Sequence, residues 1–201
     1  MLASLPWCAA VAESAPEAPD PHALMTQLSQ SLFAELDRER AALRRNAQRA
    51  VPLVDRLLSP HFDADYTARL VLGERWHGAD PEKRQRFALA LYHSLLKTYA
   101  EAVAEWTPDR LRILPPHGDP AALQATVRTI VARPGGPDVI VDYRLHRTAD
   151  GWKVFDVAVD GVSYVRTYHD DVAAEVASKG LDSVIARLES QPIAARASSS
   201  R

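Results

Sequence analysis

Residues 139–168 read VIVDYRLHRTADGWKVFDVAVDGVSYVRTY. In the first third, Val139, Val141, Tyr143 and Leu145 alternate with Ile140, Asp142, Arg144 and His146. That period of two belongs to an antiparallel strand with one buried face. Ala149-Asp150-Gly151 is a hairpin turn signal, and Trp152–Val159 and Val162–Tyr168 read as the next two strands. Upstream, Leu111–Leu114 and Gln124–Arg133 are further strands, the latter followed by the turn Pro134-Gly135-Gly136-Pro137. The second half of the chain is therefore an antiparallel meander. It ends where residues from about Asp170 to Leu188 return to helical period, with Gly180 between two short helices.

The first half is helical. Leu24, Leu28, Leu32 and Leu36 form an i,i+4 apolar stripe. Beside it Arg38, Arg40, Arg44, Arg45 and Arg49 read as a solvated face balanced by Glu35, Asp37 and Glu39. Pro52 marks a break, after which Leu53, Val54, Leu57 and Leu58 begin a second helix that ends at Ser59-Pro60. A third helix runs from about Asp63 to Leu72 and stops at Gly73, a C-cap residue. The fourth opens with Asp80 as N-cap, Pro81 at the first helical position and Glu82 against the dipole, and Pro108 closes it. Its two apolar rows, Phe87-Leu91-Leu95-Tyr99-Val103 and Ala88-Tyr92-Leu96-Ala100, make it a largely buried helix touching more than one layer. Helices followed by a meander give an α+β fold, with N-terminal helices on a curved antiparallel sheet that encloses an apolar interior, and short C-terminal helices. Periodicity leaves open whether that interior is filled or hollow.

The chain has 201 residues, 47% hydrophobic and 25% charged, which suits one domain with tails. Lys+Arg is 24 and Asp+Glu is 26, a formal charge of −2 that argues against nucleic acid as a partner. The single cysteine, Cys8, excludes an internal disulfide and a Cys-rich metal site. Residues 1–12 carry no charged side chain and end in Ala10-Val11-Ala12, the small-residue pattern of a signal-peptidase site, so they read as a signal-peptide remnant and imply export. Residues 13–21 read as a linker, 22–190 as the folded domain and 191–201 as a disordered tail.

Catalytic motifs are missing. There is no H-E-x-x-H, G-x-S-x-G, Walker loop or G-x-G-x-x-G, and no two histidines have i,i+4 spacing. No metal site, no cofactor and no enzymatic activity are expected. The one acid–base candidate set is Asp142, Asp156 and His146. Asp156 shares strand parity with Trp152 and Val154, so it points inward, either as a structural anchor or as a general base beside Tyr143 or Tyr168.

One ordered set of short motifs carries a resemblance. Val71-Leu72-Gly73-Glu74-Arg75-Trp76, then Ala79, then Pro81–Phe87, is followed by Leu95–Ala100, Val139–Tyr143, Gly151–Val157, Asp160–Val165, Tyr168 and Gly180–Leu188. Over about residues 50–190 this order and spacing resembles the toluene-tolerance, or MlaC, family of periplasmic phospholipid-shuttle proteins of the Mla lipid-asymmetry pathway. Two departures stand out. Ala64 replaces an aromatic residue, and His169-Asp170-Asp171-Val172 replaces an Arg, a polar pair and a Phe, both near the expected pocket rim.

The resemblance implies a deep apolar cavity for phospholipid acyl chains and a location in the periplasm. Its implied partners are an inner-membrane Mla ABC transporter complex and an outer-membrane lipoprotein–porin complex. The chain reads as a monomer whose only small-molecule ligand is phospholipid. On this reading the lining is Val71 and Leu72 of the third helix, Phe87, Leu91, Leu95 and Tyr99 of the fourth, and Val139, Val141, Tyr143, Val154 and Ala158 of the strands. Val162 and Val165 lie near the mouth. Three other readings stay open: a carrier for another lipid such as a hopanoid, a small isomerase or hydrolase using Asp156 with Tyr143, and a structural adaptor with a filled core.

Overall fold

The computed structural model describes residues 20–105, 107–117, 119, 122–133 and 135–191. The signal-peptide remnant, most of the linker and nearly all of the tail lie outside them. Helix α1 (Pro21–Arg38) starts within the stretch read as linker, because the Asp20 carboxylate accepts from the His22 and Ala23 amides at 2.8 and 2.9 Å and Pro21 fits the first turn. Three arginines of the charged face are paired, Arg38 with Glu35, Arg40 with Asp37 and Arg49 with Glu39. Short α2 (Arg40–Leu43) and a 3₁₀ turn lead into α3 (Ala50–Leu58). Pro52 does not break the chain here. It sits in the first turn of α3, where a missing N–H costs no hydrogen bond.

Helix α4 (Ala64–Leu72) is capped by the Asp63 carboxylate, which accepts from the Tyr66 amide at 2.9 Å, and ends at Gly73 with φ of 58°. A Cβ at residue 73 would meet the His169 ring at 2.9 Å, so glycine is demanded twice at this position, by backbone conformation and by space. After α5 (Arg75–Gly78) comes α6 (Pro81–Ala104), the central helix. Asp80 occupies its cap position without a side-chain hydrogen bond to the helix. Along its length α6 serves two cores, its N-terminal half one and its C-terminal half the other. Phe87 and Leu91 join a helical core with Val71, Leu72, Tyr168, Val172, Val184 and Ile185, while Leu96 and Ala100 join Leu36, Leu53 and Val54.

Strands β1 (Leu111–Ile113), β2 (Gln124–Val131), β3 (Val139–Thr148), β4 (Gly151–Val159) and β5 (Val162–Ser163) form one antiparallel sheet in chain order. Helix α1 covers one face of it, with Leu24, Met25 and Leu28 packed on Val127, Leu145, Trp152 and Val154. The expected strand Val162–Tyr168 is mostly helix. Ser163 Oγ accepts from the Arg166 amide at 3.1 Å and starts α7 (Tyr164–Lys179), which Gly180 separates from α8 (Leu181–Ser190). An N-cap serine followed by an i,i+4 tyrosine pair outweighs the β propensity of Val162, Tyr164 and Val165. No helix among the described residues is long and apolar enough to cross a membrane.

One irregularity sets the geometry of everything near β4. Arg144 pairs with Asp156 but Leu145 pairs with Val154, so Phe155 is an extra residue, a β-bulge. Before it, Trp152 and Val154 face α1. After it, Val157 joins Tyr143 and Val141 on that face, and Asp156 and Ala158 turn to the other. The parity assigned from sequence to Asp156 and Ala158 is thereby reversed.

Candidate functional site

Along the stretch of β4 that β5 leaves unpaired, Phe62 bridges to Val154 in parallel and the Asp63 amide donates to the Val154 carbonyl at 2.9 Å. This brings α4 to the bulge. The Thr67 hydroxyl lies 2.7 Å from the Asp63 carbonyl and 2.8 Å from the Phe155 carbonyl, and so satisfies the acceptor that the bulge leaves out of the ladder. Asp63 also meets His146 Nε2 at 2.9 Å, and Tyr66 stacks on His146 at 4.3 Å. On the other side Asp156 anchors α7. Its Oδ1 accepts from the Val165 amide at 3.0 Å, and its Oδ2 accepts from Ser163 Oγ at 2.7 Å and Arg144 Nη1 at 3.1 Å.

Between these anchors lies a cleft. Thr67 and Val71 of α4, Leu91 and Leu95 of α6, Phe155–Val157 of β4, Tyr164, Val165 and Tyr168 of α7, and Phe62 line it. Thr67, Val71, Leu91, Phe155 and Tyr168 are buried and make its floor, while Phe62, Leu95, Val157, Tyr164 and Val165 are half-buried and make its rim. Its volume is about 40 Å³. That is less than the roughly 150 Å³ of an apolar cavity that takes a benzene, so any longer apolar guest must push the rim side chains apart. The one carboxylate in the wall, Asp156, has both oxygens engaged, and the rest of the lining is apolar apart from Thr67 and the phenols of Tyr164 and Tyr168. Among the described residues no group of three or more His, Cys, Asp or Glu is placed to hold a metal.

The cleft gathers Val71, Leu91, Leu95 and Val165 from the residues expected to line a pocket. Leu72 and Phe87 lie behind it in the helical core. Tyr99 reaches it through its neighbours, with its hydroxyl 3.1 Å from that of Tyr168 and its ring stacked on Tyr164 at 5.2 Å. Val139 and Val141 pack with Val131 further along the sheet, Tyr143 packs beside Val157, and Val154 packs under α1. Ala158 pairs with Ser163 on the opposite face, and Val162 is 57% exposed. Tyr143 and Asp156 belong to adjacent, opposite-facing pairs, Tyr143 with Val157 and Arg144 with Asp156, so they do not form the acid–base pair considered from sequence. Burial pushes the Tyr143 phenol up to about 12, a shift slightly reduced by its hydrogen bond to Thr129. The departures at 169–172 are not on the rim: His169 Nδ1 sits 3.0 Å from the Val71 carbonyl, and Val172 is buried in the helical core.

Phe62, Thr67, Phe155, Val157, Tyr164 and Tyr168 went unnoticed as lining residues. The i,i+4 pairs Thr67–Val71 and Tyr164–Tyr168 were readable signals, once Ser163 is taken as a helix cap.

The family model described as "MlaC protein" matches residues 26–190. The chain belongs to the MlaC family. Two relatives bear this out: the toluene tolerance protein ttg2D of Pseudomonas putida, 25% identical over 90% of this chain and 82% of the relative, and the intermembrane phospholipid transport system binding protein MlaC of Haemophilus influenzae, 23% identical over 86% and 84%. The fold matches that of a phospholipid-binding protein from Ralstonia solanacearum solved in complex with a phospholipid. The TM-score is 0.77 at 25% identity, covering 86% of this chain and 96% of that one. For this MlaC-family chain, the α+β architecture expected from sequence is thus shared with a solved lipid-binding protein.

Proposed function

We propose that this MlaC-family protein is a periplasmic phospholipid carrier whose cleft between α4, α6, α7 and β4 receives acyl chain while the headgroup stays in water. The observation that carries the reading is an apolar cleft, bounded by a rim of half-buried side chains, in a fold shared with a phospholipid-bound protein. The physical need is plain. A diacyl lipid hides roughly 30 methylenes, and at about 0.8 kcal/mol each, leaving them in water costs on the order of 24 kcal/mol. A soluble carrier lowers that cost only if its interior resembles the bilayer. Walls of Val, Leu and Phe with a fully engaged Asp156 are the kind of surface such an interior needs once the rim side chains part. Such walls make few directional contacts, so a membrane-bound partner can draw the lipid out without breaking a specific lock.

In this reading the protein carries lipid and performs no chemistry on it. Its partners are then an Mla ABC transporter complex at the inner membrane and a lipoprotein–porin complex at the outer membrane, which the family membership supports. Native mass spectrometry of the protein purified from cells under gentle conditions tests the reading. Adducts of phospholipid mass, with headgroups identified after extraction, are expected. Protein that carries no lipid, or carries only hopanoid, contradicts it.

A further inference from the structure

The cleft is not uniformly apolar. Two of its lining residues, Tyr164 and Tyr168 of α7, cluster with Tyr99 of α6, which touches the cleft through them. Tyr99 of α6 stacks on Tyr164 with ring planes 20° apart, Tyr164 lies 6.0 Å from Tyr168, and the Tyr99 and Tyr168 hydroxyls are 3.1 Å apart. Burial, followed by the neighbouring Tyr99 phenol, raises the pKa of Tyr164. Tyr168 is buried, while Tyr99 and Tyr164 are half-buried, so the cluster runs from the floor of the cleft to its rim.

Rings alone would pack as well with phenylalanine. Hydroxyls at an apolar wall carry a desolvation cost unless they are hydrogen-bonded. Here the Tyr99 and Tyr168 hydroxyls satisfy one another, and a phenol O–H can turn from that partner to a new acceptor. A phenol with an apolar body and a polar tip is also the side chain that sits where hydrocarbon meets water. A phospholipid has one group at that level: the ester carbonyls, between the acyl chains and the phosphate. They are good acceptors and bring no donor of their own.

We propose that the hydroxyls of Tyr99 and Tyr164 form an ester-carbonyl subsite, which sets how deep the lipid sits and selects ester-linked over ether-linked chains. The inference rests on the carrier reading above. On lipid entry a phenol O–H exchanges its phenol partner for the carbonyl. An ether-linked lipid of equal length offers the same hydrocarbon but no carbonyl oxygen, and leaves the hydroxyls to each other. A site built to hydrogen-bond a ligand group discriminates against the analogue that lacks it.

The test is a competition. The full chain is incubated with vesicles holding equal amounts of diester and diether phosphatidylglycerol of matched chain length, and the bound ratio is read by native mass spectrometry. The natural sequence is expected to load the diester form about three- to tenfold in excess, the range of one net hydrogen bond. Tyr99→Phe and Tyr164→Phe, which keep the rings, are expected to bring the ratio close to one. Because the readout is a ratio within one sample, a loss of folded protein does not imitate it. Equal loading by the natural sequence overturns the proposal, as does a preference that survives both substitutions. If neither lipid loads, the carrier reading falls and takes the subsite with it.

Discussion

The Thr67 hydroxyl lies 2.8 Å from the Phe155 carbonyl, a contact across 88 positions of sequence that ties the helical layer to the bulge in β4. It shares its proton with the Asp63 carbonyl, in the turn of chain that β4 also holds through the Asp63 amide. Thr67→Val keeps the shape and removes the donor. The variant should lose about 1–3 kcal/mol of stability, the cost of a buried acceptor left unpaired, while Thr67→Ser restores most of it. Thermal unfolding of the three proteins checks this, and a valine variant as stable as the natural protein would refute the anchoring role.

Asp156 performs the matching task for α7. Replacing it with Asn keeps one acceptor oxygen and introduces an N–H₂ where Ser163 Oγ, Arg144 Nη1 and the Val165 amide all need acceptors. Asp156→Asn is expected to cost roughly 1.5–3 kcal/mol, as for hydrogen bonds to a charged group. It should also speed amide hydrogen exchange at Val165 in the first turn of α7. Unchanged protection there would mean that the cap geometry contributes nothing to holding that wall.

Leu95→Trp and Val141→Trp add similar bulk in different places. Leu95 is a half-buried rim residue of the cleft, and Val141 packs with Val131 and Val139 on the sheet. The Leu95 variant should bind less phospholipid than the natural protein with its far-ultraviolet circular dichroism preserved. The Val141 variant should chiefly lose stability, by about 1–3 kcal/mol from overpacking. A Leu95 variant with full lipid occupancy would move the binding site elsewhere.

Acid should release the C-terminal helices. Glu175 of α7 accepts from Arg187 of α8 at 2.9 and 2.7 Å. The Arg187 hydrogen bond is the largest influence and holds the Glu175 carboxyl below its ordinary value, against a smaller opposing effect of burial. A folded-state pKa below the unfolded one adds stability that is complete above the unfolded value, about 4.3. That stability is lost as pH falls through the lower, folded one. Arg187→Gln should therefore lower the melting temperature at neutral pH and flatten its dependence on pH below about 4.5. Identical acid limbs for both proteins would argue against this pair.

Much of the architecture was readable from residue patterns because it rests on local chemistry. The α6 boundaries follow from Pro81, Glu82 and the double apolar row, the α4 stop from Gly73, and β3 from strict alternation. The lining of the cleft was less readable, and for one reason above all. The extra residue Phe155 is defined by how β4 pairs with β3, a register between two segments that neither encodes alone, and it inverts the facing of Asp156 and Ala158. Tyr164–Tyr168 was hidden by a different conflict, a β-prone stretch that a serine cap turns into helix. Val71, Leu91 and Leu95 line the cleft from helices whose period is set before any tertiary contact forms.

Acyl chain is expected to occupy the space beside Leu95, on the inner side of α6, and not the outer surface of that helix, where Leu89 is 48% exposed. Placing a photoreactive p-benzoylphenylalanine at Leu95 or, separately, at Leu89, irradiating the lipid-loaded protein and weighing the intact products compares the two sides directly. A phospholipid-mass cross-link from position 95 with little or none from position 89 is the expected result. Equal yields at both positions, or a cross-link from 89 alone, would contradict the account.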